Sequence, residues 1–252
     1  MLPWPRWEFT EKLETVGRDA YHDRHPFHLR MLSGSLDRQQ MRTWVANRFY
    51  YQKSLPIKDA ALLARCPIRE VRQAWIHRII DQDGTADRPG ALDLWLKLGE
   101  AVGLERAELE EDQRVLPGVR FAVDAYVHFV QTHDWIEGVA SSLTERFAPA
   151  LLGDRLSALQ RHYGWIDPDA LDCFRLRLVQ APRDAEFGLR IVLDHCRTRE
   201  TQERAVAALR FKCELLWAQL DVLNHHLFGA PAGMPSQPTV VADPTPLPET
   251  AV

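Results

Sequence analysis

Five basic side chains fall on helical faces that should be apolar, and they set the first chemical question. Met41, Trp44, Val45, Arg48, Tyr51, Gln52 and Leu55 recur at three-and-four spacing, which is one side of an α-helix with an arginine in its middle. Arg78 follows Val71 and Trp75 on a second such stripe, with Asp81 and Gln82 at the next positions along it. Arg177 is paired with Cys173 at i, i+4 beside Leu171, Phe174 and Leu178, and Lys212 lies next to Leu209, Cys213 and Leu216. Arg155 holds a similar place in its own helix, and "ASSLTERF" supplies a small polar face through Ser141, Ser142 and Glu145. A guanidinium buried without a partner costs several kcal/mol or more, so each of these groups needs a carboxylate, a water-filled cavity or an anionic ligand. A single arginine at the edge of a stripe more often snorkels to solvent. Recurrence on several helices favours convergence on one pocket, lined by several cations, two or three tyrosines and few carboxylates. Such a pocket suits a small, flat polyanion held by charge-assisted hydrogen bonds and aromatic contact.

Other chemistries have weaker support in the sequence. His22, His25 and His28 in "YHDRHPFHLR" are split by Pro26, which breaks the geometry that would put them on one face; capping or surface roles are expected, and no metal site. A haem protein needs a proximal histidine, for which His22 is the candidate. A carboxylate-bridged di-metal bundle needs paired Glu-x-x-His motifs, and the chain has none. "GLERAELEED" reads as a solvated helix face, and Trp75, Trp95, Trp135 and Trp217 as core.

The elements that must position these groups are all helical. Residues 7 to 21 put Phe9, Leu13, Val16 and Ala20 on one face; Pro26 opens a short helical turn through Met31 that Gly34 ends. The helix carrying Arg48 starts behind Ser35 or Asp37 and is expected to stop at Pro56, with Pro56 and Pro67 opening the next two helices and Gly84 closing the second. Further helices are predicted over about 91–102, 118–133, 135–147, 150–162, 168–180 and 184–197. The last and longest carries Val206, Leu209, Cys213, Leu216, Leu220, Leu223 and Leu227 in one stripe. No alternating strand pattern bounded by hairpin turns occurs, so the predicted class is all-α, and short connections imply one bundle of antiparallel neighbours over residues 1–229. From Ala230 the chain becomes "APAGMPSQPTVVADPTPLPETAV", expected to be an extended tail or a truncated linker.

At 252 residues and 46% hydrophobic composition the chain can bury a large core. A formal charge of -4 and a pI near 6.2 give no general basic surface, which argues against nucleic acid or an anionic membrane as partner. The N-terminus lacks an apolar leader core and no apolar run approaches the roughly 18 residues of a membrane span, so a cytoplasmic protein is expected. Cys66, Cys173, Cys196 and Cys213 are scattered with no C-x-x-C pair, which suits a reducing compartment.

The blocks "WVANRFYYQ", "LPIKDAALLARC", "LPGVRFAVDAYVHF", "SSLTERFAP" and "APRDAEFGL" give the chain a resemblance, from about Tyr21 to Leu227, to the pyrroloquinoline quinone (PQQ) synthase family. The resemblance implies a haem-oxygenase-like helical bundle, a homodimer, that uses neither metal nor organic cofactor. The implied reaction is the last step of PQQ formation: ring closure and multi-electron oxidation of a bicyclic precursor by dioxygen, with release of hydrogen peroxide. The product carries three carboxylates and a quinone, which is the polyanion the arginines call for. Carried over from the family, the ligand contacts fall on His22, Arg48, Tyr51, Gln52, Lys58, Arg78, Tyr126, Thr144, Glu145, Arg155, Arg177 and Lys212. The catalytic set implied is His22, Gln82, Cys173, Arg177 and Lys212. Three positions depart from the family pattern: Gln82 stands where a histidine precedes Asp-Gly, Cys173 where a tyrosine lies four residues before the arginine, and Leu152 where some members have a further histidine. A glutamine amide does not titrate near neutrality, whereas a Cys173 thiol one turn from Arg177 is expected to be partly ionised. Two other readings follow: a relative that binds PQQ or its precursor without efficient turnover, or an enzyme of the same fold acting on another carboxylated aromatic. The small peptide-binding D protein of the same pathway is a further implied partner.

Overall fold

The computed structural model describes residues 1–229. The expected tail from residue 230 lies outside the described residues. Eleven α-helices and three short 3-10 turns make up the described chain, with no strand among them. The first two helices are α1 (Arg6–Ala20) and α2 (Pro26–Leu32), separated by a 3-10 turn over His22–Arg24. α3 (Arg38–Arg65) is fixed at its start by a capping box: the Asp37 carboxylate accepts from Gln40 N–H at 2.8 Å, and the Gln40 side chain accepts from Asp37 N–H at 2.9 Å. α4 (Arg69–Asp83) ends at Gly84, whose φ of 79° lies in the left-handed region that favours glycine. The short helices α5 (Ala91–Ala101) and α6 (Arg106–Glu110) lead to α7 (Pro117–Thr132) and α8 (Trp135–Ser141). A 3-10 turn over Ser142–Arg146 then joins α9 (Ala148–His162), and the chain closes with α10 (Asp172–His195) and α11 (Arg199–Phe228).

Two boundaries differ from expectation for one reason. Pro56, the expected stop, lies inside α3, and the helices predicted over 168–180 and 184–197 are one helix, α10, with Pro182 inside it. A proline removes one hydrogen bond and crowds the preceding turn, a cost of about 3 kcal/mol that packing along a long helix can outweigh. α3 packs against α4, α5 and α7 along its length, and α10 against α9 and the Ser142–Arg146 turn. Pro67, expected in the first turn of a helix, lies just outside α4. Over 135–147 the backbone is half α-helix and half 3-10 turn.

α11 runs through the bundle against α1, α7 and α8, burying Leu209, Cys213, Leu216, Leu220 and Leu223. Trp44, Trp95 and Phe174 form an aromatic cluster between α3, α5 and α10, with Trp44 stacked on Phe174 at 6.4 Å and Trp95 edge-on to it at 5.5 Å. Trp75 and Trp95 are buried as expected, whereas Trp135 and Trp217 are only half-buried. Near the pocket, α1 packs closely on the Phe147 ring because residue 17 is glycine: a Cβ there would lie 2.1 Å from that ring. No helix among the described residues is long and apolar enough to cross a membrane.

Candidate active site

Between α3, α9 and α10 lies a pocket with a cavity volume of about 60 Å³, set within about 690 Å³ of atom-free space that runs out to its mouth. Ten of the sequence-predicted residues line it: His22, Arg48, Tyr51, Gln52 and Gln82, with Thr144, Glu145, Arg155, Cys173 and Arg177. Leu152 also reaches the wall, and Trp95 and Phe174 extend the aromatic cluster into it. Lys58, Arg78, Tyr126 and Lys212 stand one layer behind. Each half of this constellation has a distinct electrostatic character.

In one half, Arg48 on α3, Arg155 on α9 and Lys212 on α11 have no carboxylate partner. Arg48 stacks over the Tyr51 ring at 4.3 Å and its Nε has no hydrogen-bond partner. Arg155 is 2% exposed; one amino group donates to neutral His28 Nδ1 at 3.3 Å and its Nε is unpartnered. Lys212 is fully buried between aromatic faces, with Nζ 3.3 Å from the Tyr126 ring centre and 4.2 Å from that of Tyr51, and has no hydrogen-bond acceptor. Cation–π contact compensates part of that burial. Burial and the Arg48 charge push the Arg155 guanidinium down to about 9. Since arginine keeps its proton at neutral pH, this is a standing demand for an anion. Burial, Lys58 and Arg48 hold Lys212 well below an ordinary lysine. His22 is held well below the usual histidine range by burial, Arg155 and Arg48, and its Nδ1 is unpartnered.

On the α4 and α10 side every cation is matched. Arg177 pairs with Glu145 at 2.5 Å and with Asp184 at 2.8 Å. Arg78 pairs with Asp184 at 3.0 Å, Glu145 at 3.4 Å and Asp59 at 3.6 Å. Asp59 also holds Lys58 at 2.6 Å and accepts from the Trp75 indole at 2.7 Å, while Lys58 donates to Ser142 Oγ at 2.9 Å. Burial works to raise the Glu145 and Asp184 carboxyls, but Arg177 and Arg78 outweigh it and hold both below the usual range. The Ser142–Arg146 turn matters here, because it carries Thr144 and Glu145 into the space between α3 and α10.

These observations correct several expectations. The pocket region holds Glu145, Asp59 and Asp184, more carboxylates than predicted, and they neutralise Arg78 and Arg177. Cys173 is 3% exposed and burial pushes its thiol up to about 12, so it is not partly ionised; the low-dielectric setting outweighs the guanidinium one turn away. The three histidines are all buried rather than at the surface. His25 does cap α2, its Nδ1 accepting from Phe27 N–H at 3.0 Å while Nε2 faces Asp221 at 3.0 Å. His28 supports Arg155, and only His22 reaches the pocket. Gln82 is buried with its Oε1 unpartnered. Asp59 and Asp184 were missed by the sequence reading. Asp184 lies seven residues after Arg177, two turns along the same helix face, a spacing hidden by treating Pro182 as a break.

The chemistry this arrangement offers is binding of an anion with delocalised, aromatic character. Gln82 does not titrate, the Cys173 thiol is neutral, and Glu145 is ionised but held in ion pairs, which leaves His22 and Lys212, both held below their usual ranges, as the site's titrating groups.

Comparison with known proteins matches residues 10–222 to the TENA/THI-4/PQQC family. The chain is 53% identical over 219 residues to a pyrroloquinoline-quinone synthase of Pseudomonas aeruginosa, covering 87% of each chain. It is 51% identical over 217 residues to one of Ectopseudomonas mendocina, covering 86% of each. Among solved structures, a domain of unknown function with a heme oxygenase-like fold from Shewanella denitrificans superposes with a TM-score of 0.69 at 14% identity, over 91% of this chain and 96% of the other. A TenA homolog from Pseudomonas syringae gives 0.65 at 12% identity, over 88% and 98%. Those two likenesses bear on the fold, which is of the heme oxygenase-like type.

Proposed function

The chain belongs to the TENA/THI-4/PQQC family, and from that premise we propose that it is a pyrroloquinoline-quinone synthase, converting the bicyclic PQQ precursor by ring closure and oxidation. Dioxygen is the oxidant in this reading and hydrogen peroxide its reduced product, with neither metal nor organic cofactor. The observation that carries the proposal is the set of cations without carboxylates, Arg48, Arg155 and Lys212, around a pocket whose walls include Tyr51, Trp95 and Phe174. A planar tricarboxylate supplies what that half lacks. Homodimerisation, a cytoplasmic location and association with the pathway's D protein belong to the same proposal.

The departures at Gln82, Cys173 and Leu152 leave His22 as the group best placed to move a proton. Burial and two guanidinium charges depress it in the free protein. Ligand carboxylates seated on Arg48 and Arg155 offset those charges and raise its basicity, so the substrate itself readies the base. Gln82 Oε1 accepts a hydrogen bond from the bound molecule but carries no proton.

A second reading is favoured by Gln82, which does not titrate, and by the neutral Cys173 thiol: a protein that holds PQQ or its precursor with little turnover. Mixing the purified full chain with the precursor in air and following quinone absorbance and peroxide separates the two. Turnover is the expected result. Tight PQQ binding without turnover selects the second reading, and neither binding nor turnover points to another carboxylated aromatic as substrate.

A further inference from the structure

Beside the main pocket lies a second, smaller chamber that the proposed reaction does not use. His22, Arg48, Arg155 and Leu216 form the wall that the two spaces share. The rest of the chamber is built from Trp44 and Asn47 on α3, Val119 on α7, and Gln219, Leu220 and Leu223 on α11. Its cavity volume is about 10 Å³, room for one species of about the size of a water molecule.

Four buried atoms on the residues around this chamber have no hydrogen-bond partner: Arg48 Nε, Arg155 Nε and Gln219 Nε2, which are donors, and His22 Nδ1, which donates when it carries the imidazole's proton. Gln219 is 4% exposed, and no carboxylate lies among the chamber's walls. Asn47, the other amide, is occupied: its oxygen accepts from Leu116 N–H at 2.8 Å and its nitrogen donates to the Thr43 and Arg114 carbonyls. A water placed here meets donors on several sides, and among the orphaned atoms only His22 Nδ1, in one tautomer, could accept one of its two protons. A monatomic anion has no protons to place and carries the charge that two facing guanidinium groups lack.

We propose that this inner chamber is a halide site, in which one chloride-sized monovalent anion sits on Arg48, Arg155 and Gln219 beside the main pocket. Its function follows from position. The anion balances Arg48 and Arg155 when the main pocket is empty, so the two arginines stay ordered and charged for an incoming polycarboxylate. Burial and the Arg48 charge, which push the Arg155 guanidinium down to about 9, reflect the same missing anion. The inference does not depend on the identity of the substrate.

The test uses the full chain prepared in sodium gluconate and then transferred to sodium bromide at equal ionic strength. A saturable rise in melting midpoint of about 2–4 °C in bromide is expected, together with one anomalous bromine peak between Arg48, Arg155 and Gln219 in crystals grown with bromide. Gln219→Leu should keep the helical circular dichroism spectrum and lose most of the bromide-dependent shift; should that variant fail to fold, Gln219→Glu, which places a carboxylate at the site, should remove the shift in its place. Identical melting in the two salts overturns the site and assigns the chamber to water. A bromine peak without any melting shift also overturns it, as an ion taken up only at soaking concentration.

Discussion

The two halves of the pocket solve the same problem in opposite ways. On α4 and α10, Arg78 and Arg177 are neutralised by Asp59, Glu145 and Asp184 before any ligand arrives. On α3, α9 and α11, Arg48, Arg155 and Lys212 are left without a carboxylate, among aromatic rings and a neutral histidine. Paired charges build a rigid wall at modest net stability, because desolvation consumes most of the Coulombic gain. Unpaired charges reduce the stability of the empty protein, and that deficit is recovered when an anion binds. The difference teaches that the arginine count alone does not identify binding groups; what matters is which arginines already have an acceptor.

The largest effect should come from the paired half, where the residues differ from the family pattern. The double change Gln82→His with Cys173→Tyr adds a titrating imidazole and a phenol to that wall. It should raise single-turnover PQQ formation by about 10²- to 10⁴-fold, the usual contribution of a general acid or base. Rapid wild-type turnover with no gain from the double change would show that His22 suffices. Next in size, Asp184→Ala should destabilise the fold by about 1–3 kcal/mol in urea titration, because it takes one buried carboxylate from Arg78 and Arg177 and leaves them to share Glu145 and Asp59. A loss below about 1 kcal/mol would mean that the network contributes little rigidity.

Arg155→Met sharpens the contrast, since one substitution should act in two directions. In gluconate buffer the ligand-free protein should gain about 1–2 kcal/mol in urea stability, as an unpaired charge gives way to an apolar side chain of similar length. PQQ binding by the same variant should weaken by about 1–3 kcal/mol in a fluorescence titration. Destabilisation together with unchanged binding would class Arg155 with the structural arginines.

The smallest effect is that of acid. Glu145 and Asp184 have folded pKa values below their unfolded ones, so their contribution is complete above the ordinary carboxylate range near about 4 and is lost as pH falls through the lowered folded values. Urea midpoints should therefore hold steady from neutral pH to about 5 and decline below about 4, with a shallower decline in Glu145→Gln.

Much of this was legible in the sequence, for identifiable reasons. The stripes that place Arg48 and Lys212 follow directly from helical periodicity, and the capping box at Asp37 and Gln40 fixes where the α3 stripe begins. The long blocks around Arg48, Lys58, Tyr126, Glu145 and Asp184 carry the family. The division into paired and unpaired cations was not legible. It depends on Asp184 facing Arg177 across a proline that sequence rules treat as a stop, and on Asp59 turning toward Arg78 from another helix. The burial of the three histidines was hidden in the same way, because Pro26 was taken to break one face, whereas α2 and the 3-10 turn before it each bury their own histidine. The Cys173 thiol was misjudged because its burial, which raises it, does not show in the sequence, whereas the nearby Arg177 does.

The central claim is that the cations without carboxylates are the ones that bind the ligand's carboxylates, and the most direct measurement is the PQQ dissociation constant of Arg48→Met with Arg155→Met against that of the unaltered chain, both checked by circular dichroism. The account predicts a loss on the order of 10²- to 10³-fold with the helical signal intact. An unchanged dissociation constant in a folded double variant would contradict it and place the ligand elsewhere.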